Sequence, residues 1–196
     1  MGGIVLENCD VLTFKDGGPS FLFQQDLFIE ERKIASVHPT SSKPHPEEAK
    51  VLDADGLLAV PGMVNTHAHV PMVLFRGSAE DVTLDEWFND YIFPMESNLT
   101  PEDVYWGALL GIAEMIEAGI TNVADHYFFM DEVAKAVEQT GIRGNLAWAV
   151  FEHDGIEKLE ETLEFIERWQ GKADGRIRTW LGPHSPYLCG PEFLKR

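Results

Sequence analysis

The sequence predicts an α/β fold in two parts: a small β-sandwich-like domain over residues 1–56, then four consecutive βα units over 57–196 that make the N-terminal half of a (β/α)8 TIM barrel. Three observations carry this. The first part alternates short apolar runs with turn residues and has no helical periodicity. The second part alternates apolar runs with segments whose apolar residues recur at helical spacing. The apolar runs of the second part are continuous, as in a parallel sheet covered on both faces.

In the first part, Ile4–Phe14, Phe21–Ile29 and Lys33–Val37 are expected strands. They are separated by Asp16-Gly17-Gly18-Pro19 and by Glu30-Glu31-Arg32. Pro39 to Pro46 is a polar Pro/Ser-rich loop, and Val51–Ala54 is a further short strand closed by Asp55-Gly56. In the second part, Leu58–Asn65 is the first expected barrel strand. Thr100 is a helix N-cap with Pro101 at the first helical position and Asp103 as the capping-box acid; that helix is expected to stop at Gly119. Thr121–Tyr127, Gly144–Phe151 and Ile177–Leu181 are the next strands. Helices are expected over Asp131–Thr140 and over Gly155–Trp169, where Ile156, Leu159, Leu163 and Ile166 share a face. Pro191 opens a last helix. Eight such units would close a barrel of about 250 residues, so four make an open half and the chain reads as the N-terminal part of a larger protein.

Composition narrows the function. There are 33 acidic residues against 15 basic, a net charge of −18. That argues against a nucleic-acid backbone or an anionic membrane surface as partner; a small-molecule substrate, which responds to local charge, is expected. Cys9 and Cys189 form no metal-type spacing and read as reduced thiols. No signal peptide and no long apolar run is present, so a cytoplasmic protein is expected, and a homo-oligomer once complete.

The chemistry is concentrated in Val60-Pro61-Gly62-Met63-Val64-Asn65-Thr66-His67-Ala68-His69. Residues two apart on a strand point to one side, so His67 and His69 present two imidazoles together at a strand end, where barrel active sites lie. That is half of a metal site; zinc is the first expectation, and iron and manganese also accept imidazole. Glu96, ahead of the first long helix, reads by itself as a solvated acid favoured by the helix dipole. His184 follows the fourth strand, Trp87 lies in a loop, and His126 reads as a packed or hydrogen-bonded histidine.

The run from Pro61 to His69, placed after a small β-domain, resembles the amidohydrolase superfamily. Leu74-Phe75-Arg76-Gly77, Trp87-Phe88, Phe93-Pro94-Met95-Glu96 and Leu181-Gly182-Pro183-His184-Ser185-Pro186-Tyr187 are similar to the branch containing 5′-methylthioadenosine/S-adenosylhomocysteine deaminases, with triazine chlorohydrolases nearby. The resemblance covers essentially the whole chain. It implies deamination of an adenosine-type nucleoside by metal-bound hydroxide, with one divalent metal held in part by His67 and His69. It further implies that Glu96 binds the ribose hydroxyls and that His184 contacts substrate, with Trp87 as a candidate pocket wall. The other ligands and the catalytic acid–base group are expected beyond Arg196, so no catalytic residue is expected within the chain and the chain alone is expected to be inactive. Such deaminases often place an Arg in the third strand and another basic residue shortly after it to hold a substrate carboxylate; here Trp148 stands at the first position and Lys158 is the nearest candidate for the second, which puts S-adenosylhomocysteine in doubt. A different heterocycle, such as a triazine or another nucleobase, and an incomplete non-catalytic fragment are the alternatives.

Overall fold

Strands β1 (Ile4–Lys15) and β2 (Gly18–Glu30) form an antiparallel hairpin that turns on Asp16 and Gly17 alone. Both turn residues have positive φ, 52° and 82°, the pairing that matches the twist of a two-residue hairpin loop. The computed structural model describes residues 2–196, and the chain divides between Pro61 and Gly62 into two compact units.

In the first unit, β3 (Lys33–Pro39) adds antiparallel to β2, while β4 (Lys50–Asp53) and β5 (Leu58–Ala59) add parallel to β1. The pairing of Asp10 with Leu58 and Val11 with Ala59 corrects the expected first barrel strand. Leu58 and Ala59 belong to this sheet, and Pro61-Gly62 separates them from the next one. Proline offers no N–H to a ladder. A Cβ on Gly62 would lie 2.3 Å from the Thr121 side chain, so the chain passes too closely there for any larger residue.

A buried carboxylate organises this unit. Asp26 is 1% exposed. It accepts hydrogen bonds from Asn8 N (3.0 Å), Thr40 Oγ1 (2.9 Å), Ser41 N (3.2 Å) and His45 Nε2 (3.0 Å). Asn8 and Ser41 both have left-handed φ, at 62° and 59°. Their backbone is bent so that their N–H groups reach the carboxylate. Asp26 thereby ties the 39–46 loop to the bulge in β1.

In the second unit, β6 (Met63–Ala68), β7 (Ile120–Tyr127), β8 (Arg143–Val150) and β9 (Ile177–Pro183) form a parallel sheet in sequence order. Three long helices follow the first three strands: α1 (Pro101–Glu117), α2 (Met130–Thr140) and α3 (Gly155–Trp169). Thr100 and Asp103 make a reciprocal cap at the start of α1, with bonds of 2.9 and 3.2 Å. Gly141, at φ 87°, ends α2. Val104, Ala108, Ile112, Val123, Val133, Val137, Leu146 and Phe165 form the core between sheet and helices. This is the arrangement of the first half of a (β/α)8 barrel. β6 and β9 are the sheet's two edges, and Met63, Val64, Trp180 and Leu181 on them are exposed.

The connection from β6 to α1 is more regular than the expected loop. A 3-10 turn covers Val70–Phe75. Thr83 and Glu86 then cap a helical run that passes through a π-helical stretch, Trp87–Ile92, and ends at Phe93–Glu96. Among the described residues, no helix is long and apolar enough to cross a membrane.

The Asp26 cluster generates a prediction. Burial raises the Asp26 pKa, but the hydrogen bonds from Asn8, His45, Thr40 and Ser41 outweigh it and hold the group at about 2. Because this is below the unfolded value, the stabilisation is complete above roughly pH 4 and is lost as pH falls towards 2. The shift corresponds to about 2 kcal/mol. The protection factors of amides across residues 2–61, exchange rates taken relative to the unfolded chain at the same pH, are therefore expected to fall between pH 4 and 2 in the wild-type sequence. Asp26→Asn is expected to be weaker already at pH 7 and to lack that acid-dependent loss; an identical acid profile in the two proteins contradicts the role of Asp26.

Candidate active site

The site is built at the C-terminal end of the parallel sheet, from its barrel-interior face. Along β6, His67 alternates with Ala68, which packs on the helix-side core, so His67 and His69 turn to the other side. Their rings meet edge to face with centroids 5.0 Å apart. Nδ1 of His69 lies 2.5 Å from the backbone oxygen of His126. A carbonyl can only accept, so Nδ1 carries the proton and Nε2 keeps its lone pair. Immediately after His69, Val70 N donates to Asp125 Oδ1 at 2.9 Å. Asp125 is 1% exposed and its Oδ2 has no partner. Burial pushes its carboxyl up to about 7, against the lowering effect of the Val70 and His126 backbone N–H groups.

His67 and His69 open onto a cavity of about 340 Å³. Its walls are aromatic: Trp87, Phe88 and Phe93 from the helical connection, Phe128 after β7, Phe151 after β8, and Tyr187 after β9. Phe129 follows Phe128 with a left-handed φ of 48°, uncommon for a bulky residue, and this turns the chain sharply at the cavity rim. Glu96, His126 and His184 are the other ionisable groups in the lining, together with Tyr127. Tyr127 donates its hydroxyl to Glu96 Oε1 at 2.8 Å. Burial raises the Glu96 pKa, opposed by the Tyr127 bond and by His69. Tyr127 is itself pushed well above the ordinary tyrosine range, first by burial, so it acts as a donor.

His184 stacks on Phe151 with centroids 4.7 Å apart, and its backbone N–H donates to Val150 O at 2.9 Å. Burial lowers its pKa, so the ring is neutral near pH 7. His126, read from the sequence as packed or hydrogen-bonded, is a lining residue. Its Nε2 donates to Gly182 O at 3.0 Å, and burial lowers its pKa as well.

The structure thus brings His67, His69, Glu96, His184 and Trp87 to one cavity, but not Trp148. Trp148 packs edge to face on Phe165 of α3 at 5.8 Å, and Lys158 Nζ lies 4.8 Å above its ring. The reason is strand parity: Ala149 lines the cavity, so Trp148 must face the helices. Trp148 and Lys158 are therefore removed from the substrate-contacting set. The sequence reading gives no site role to Phe88, Phe93, Phe128, Phe151 and Tyr127; Phe88 and Phe93 fall inside the Trp87-Phe88 and Phe93–Glu96 runs, while Phe128, Phe151 and Tyr127 carry no motif and join the site only through the fold.

Two imidazoles on one face, one with its tautomer fixed and Nε2 free, are a fitting part of a divalent metal's ligand set. Among the described residues, no third His, Cys, Asp or Glu donor gathers with them within ligating distance; the one such cluster is Glu7, Asp26 and His45 in the first unit.

The comparisons agree with this geometry. A 5-methylthioadenosine/S-adenosylhomocysteine deaminase from Carboxydothermus hydrogenoformans is 48% identical over 98% of the chain and 44% of its own length. A 5′-deoxyadenosine deaminase from Methanosarcina mazei is 44% identical over 100% of the chain and 45% of its own length. The chain thus spans about half the length of the curated relatives it matches. Among solved structures, an adenosine deaminase from Xanthomonas campestris with bound zinc superposes with a TM-score of 0.84 at 28% identity, over 100% of this chain and 46% of that one. The model described as the amidohydrolase family matches residues 58–196. Since that match takes in well over half of the sequence, including the paired histidines, the chain belongs to the amidohydrolase family.

Proposed function

We propose that the protein containing this chain is a metal-dependent aminohydrolase that deaminates an adenosine-type nucleoside. The observation that carries the reading is one cavity holding a paired-histidine metal half-site and, across an aromatic space, a carboxylate with an oxygen to spare. His67 and His69 would hold the divalent metal, which we take to be zinc. When bound, such a metal lowers the pKa of water towards 7 and so supplies a nucleophile at neutral pH. The chain's own residues do the rest of the work assigned here. Trp87, Phe88 and Phe93 sandwich a flat heterocycle and exclude water. Glu96 accepts hydrogen bonds from the ribose hydroxyls, which a carboxylate does without needing protons of its own. His184, neutral and braced on Phe151, contacts the substrate with one donor and one acceptor nitrogen. We assign the remaining metal ligands and the proton-shuttling carboxylate to the part of the protein that the longer relatives have and this chain does not. The two buried free thiols, Cys9 and Cys189, fit the reducing cytoplasm that we take as its setting.

Glu96 separates this reading from hydrolysis of a triazine, which has no vicinal hydroxyls. Three outcomes are expected in the whole protein. His67→Ala and His69→Ala each lose most bound metal by elemental analysis; full retention in both overturns the ligand assignment. Glu96→Ala loses about 10–150-fold in kcat/KM for methylthioadenosine, the equivalent of about 1.5–3 kcal/mol for a hydrogen bond to a charged group, while binding of free adenine is unchanged. Equal losses for both compounds remove the ribose role. Trp148→Arg leaves the ratio of kcat/KM for methylthioadenosine and S-adenosylhomocysteine where it was, because the side chain faces α3. A shift towards S-adenosylhomocysteine would show that position 148 reaches the substrate after all.

A further inference from the structure

We propose that Tyr127 is a positioning residue for the sugar: its hydroxyl pins one oxygen of Glu96 and so aims the other at the nucleoside's vicinal diol. The inference rests on the ribose role given to Glu96 above.

Glu96 sits at the end of the helical run Phe93–Glu96, on the long excursion between β6 and α1. On that excursion Leu84 and Phe93 are exposed, and Glu96 itself is only part-buried. A carboxylate on such an element, with three side-chain torsions, would sample several directions. Tyr127 is the opposite case. It is the last residue of β7, is 3% exposed, and its ring belongs to the core between sheet and helices. Only its hydroxyl reaches over the strand end, to Glu96 Oε1 at 2.8 Å. The anchor is a buried core residue and the anchored carboxylate lies on the helical connection outside the sheet, which gives the bond a positioning sense. Among the described residues, Glu96 Oε2 has no protein donor, so this oxygen is the one left for a ligand. A phenol so buried stays protonated, so the bond keeps its direction, from Tyr127 to Glu96. Fixing the acceptor before the ligand arrives removes an ordering cost from sugar binding, and that benefit appears in affinity.

The test uses the whole protein as wild type, Tyr127→Phe, Glu96→Ala and the double variant. The readouts are kcat and KM for methylthioadenosine, the inhibition constant of adenine, metal content and melting temperature. Tyr127→Phe is expected to raise the nucleoside KM about tenfold with kcat within about twofold, and to leave adenine inhibition and metal content unchanged. In the Glu96→Ala background the same change is expected to add nothing, because Tyr127 then has no carboxylate to hold. A tenfold cost that persists without Glu96, or an equal loss for nucleoside and base, overturns the inference and shows a packing role. If Glu96→Ala separates nucleoside from base while Tyr127→Phe matches wild type, the positioning role falls and the ribose role stands. If Glu96→Ala does not separate them, the ribose role itself falls. Should Tyr127→Phe fail to fold, Tyr127→Met, a second apolar filling of the same space, takes its place.

Discussion

The pinning of the end of β6 to the end of β7 is the constraint on which the rest of the site depends. Two hydrogen bonds make it: the His69 ring to the His126 carbonyl, and the Val70 N–H to the Asp125 carboxylate. They act on consecutive residues, at the point where the chain leaves a sheet edge and would otherwise fray. Together they set the direction of the strand end, the tautomer of His69 and the start of the long excursion that brings Trp87 and Glu96 back over the cavity. Each partner comes from β7, so the metal half-site is as rigid as the sheet beneath it. The cost is a buried carboxyl oxygen with no partner and a carboxyl that burial pushes well above the ordinary carboxylate range.

The aromatic walls decide the electrostatics of the cavity. A space ringed by Phe, Trp and Tyr excludes water, and charged forms inside it are disfavoured. His126 and His184 are accordingly driven towards their neutral forms, while the Glu96 carboxyl is raised and then partly restored by Tyr127. The outcome suits the chemistry proposed. Neutral imidazoles bind a metal or hydrogen-bond a heterocycle, whereas imidazolium would repel the cation. The chain's overall charge of −18 plays no part in this, since the groups that matter are few, buried and set by their neighbours.

What was legible in the sequence was whatever local rules decide. The paired histidines show because period-two alternation at a strand end is enough to place both on one side. The cap at Thr100 and Asp103 shows because its partners are three residues apart. The hairpin at Asp16-Gly17 was placed in the right turn, but the strands run closer to it than expected because two positive-φ residues suffice to close it. The sequence extends the first barrel strand back to Leu58, since an apolar pair such as Leu58-Ala59 does not say which sheet it joins; the pairing with β1 decides that. Tyr127 and Phe151 carried no signal at all. Their roles depend on partners 31 and 33 residues away, Glu96 and His184, and on the fold that brings them together.

The resemblance puts Trp148 at a substrate-facing position, and the strand's own sequence cannot correct this, because of a physical ambiguity specific to parallel sheets under helices. Both faces of β7 and β8 are covered or apolar, so alternation marks no inside and outside in the sequence. The backbone register resolves it. Ala68 lies beside Asp125 and Leu146 beside Asp125, which puts Leu146, Trp148 and Val150 on the helix side with Val123 and Tyr127. His126, Ala147, Ala149 and Gly182 then share the interior face with His67 and His69. That face carries small residues for a reason. A Cβ on Gly182 would lie 2.8 Å from His126 Cδ2 and 2.5 Å from Trp148 O, so His126 spans from β7 to β9 only because alanine and glycine leave its ring room. The parity that sends Trp148 to the helices is therefore the same parity that opens the interior for the histidines. A tryptophan facing inward at position 148 would occupy the space on which the site is built.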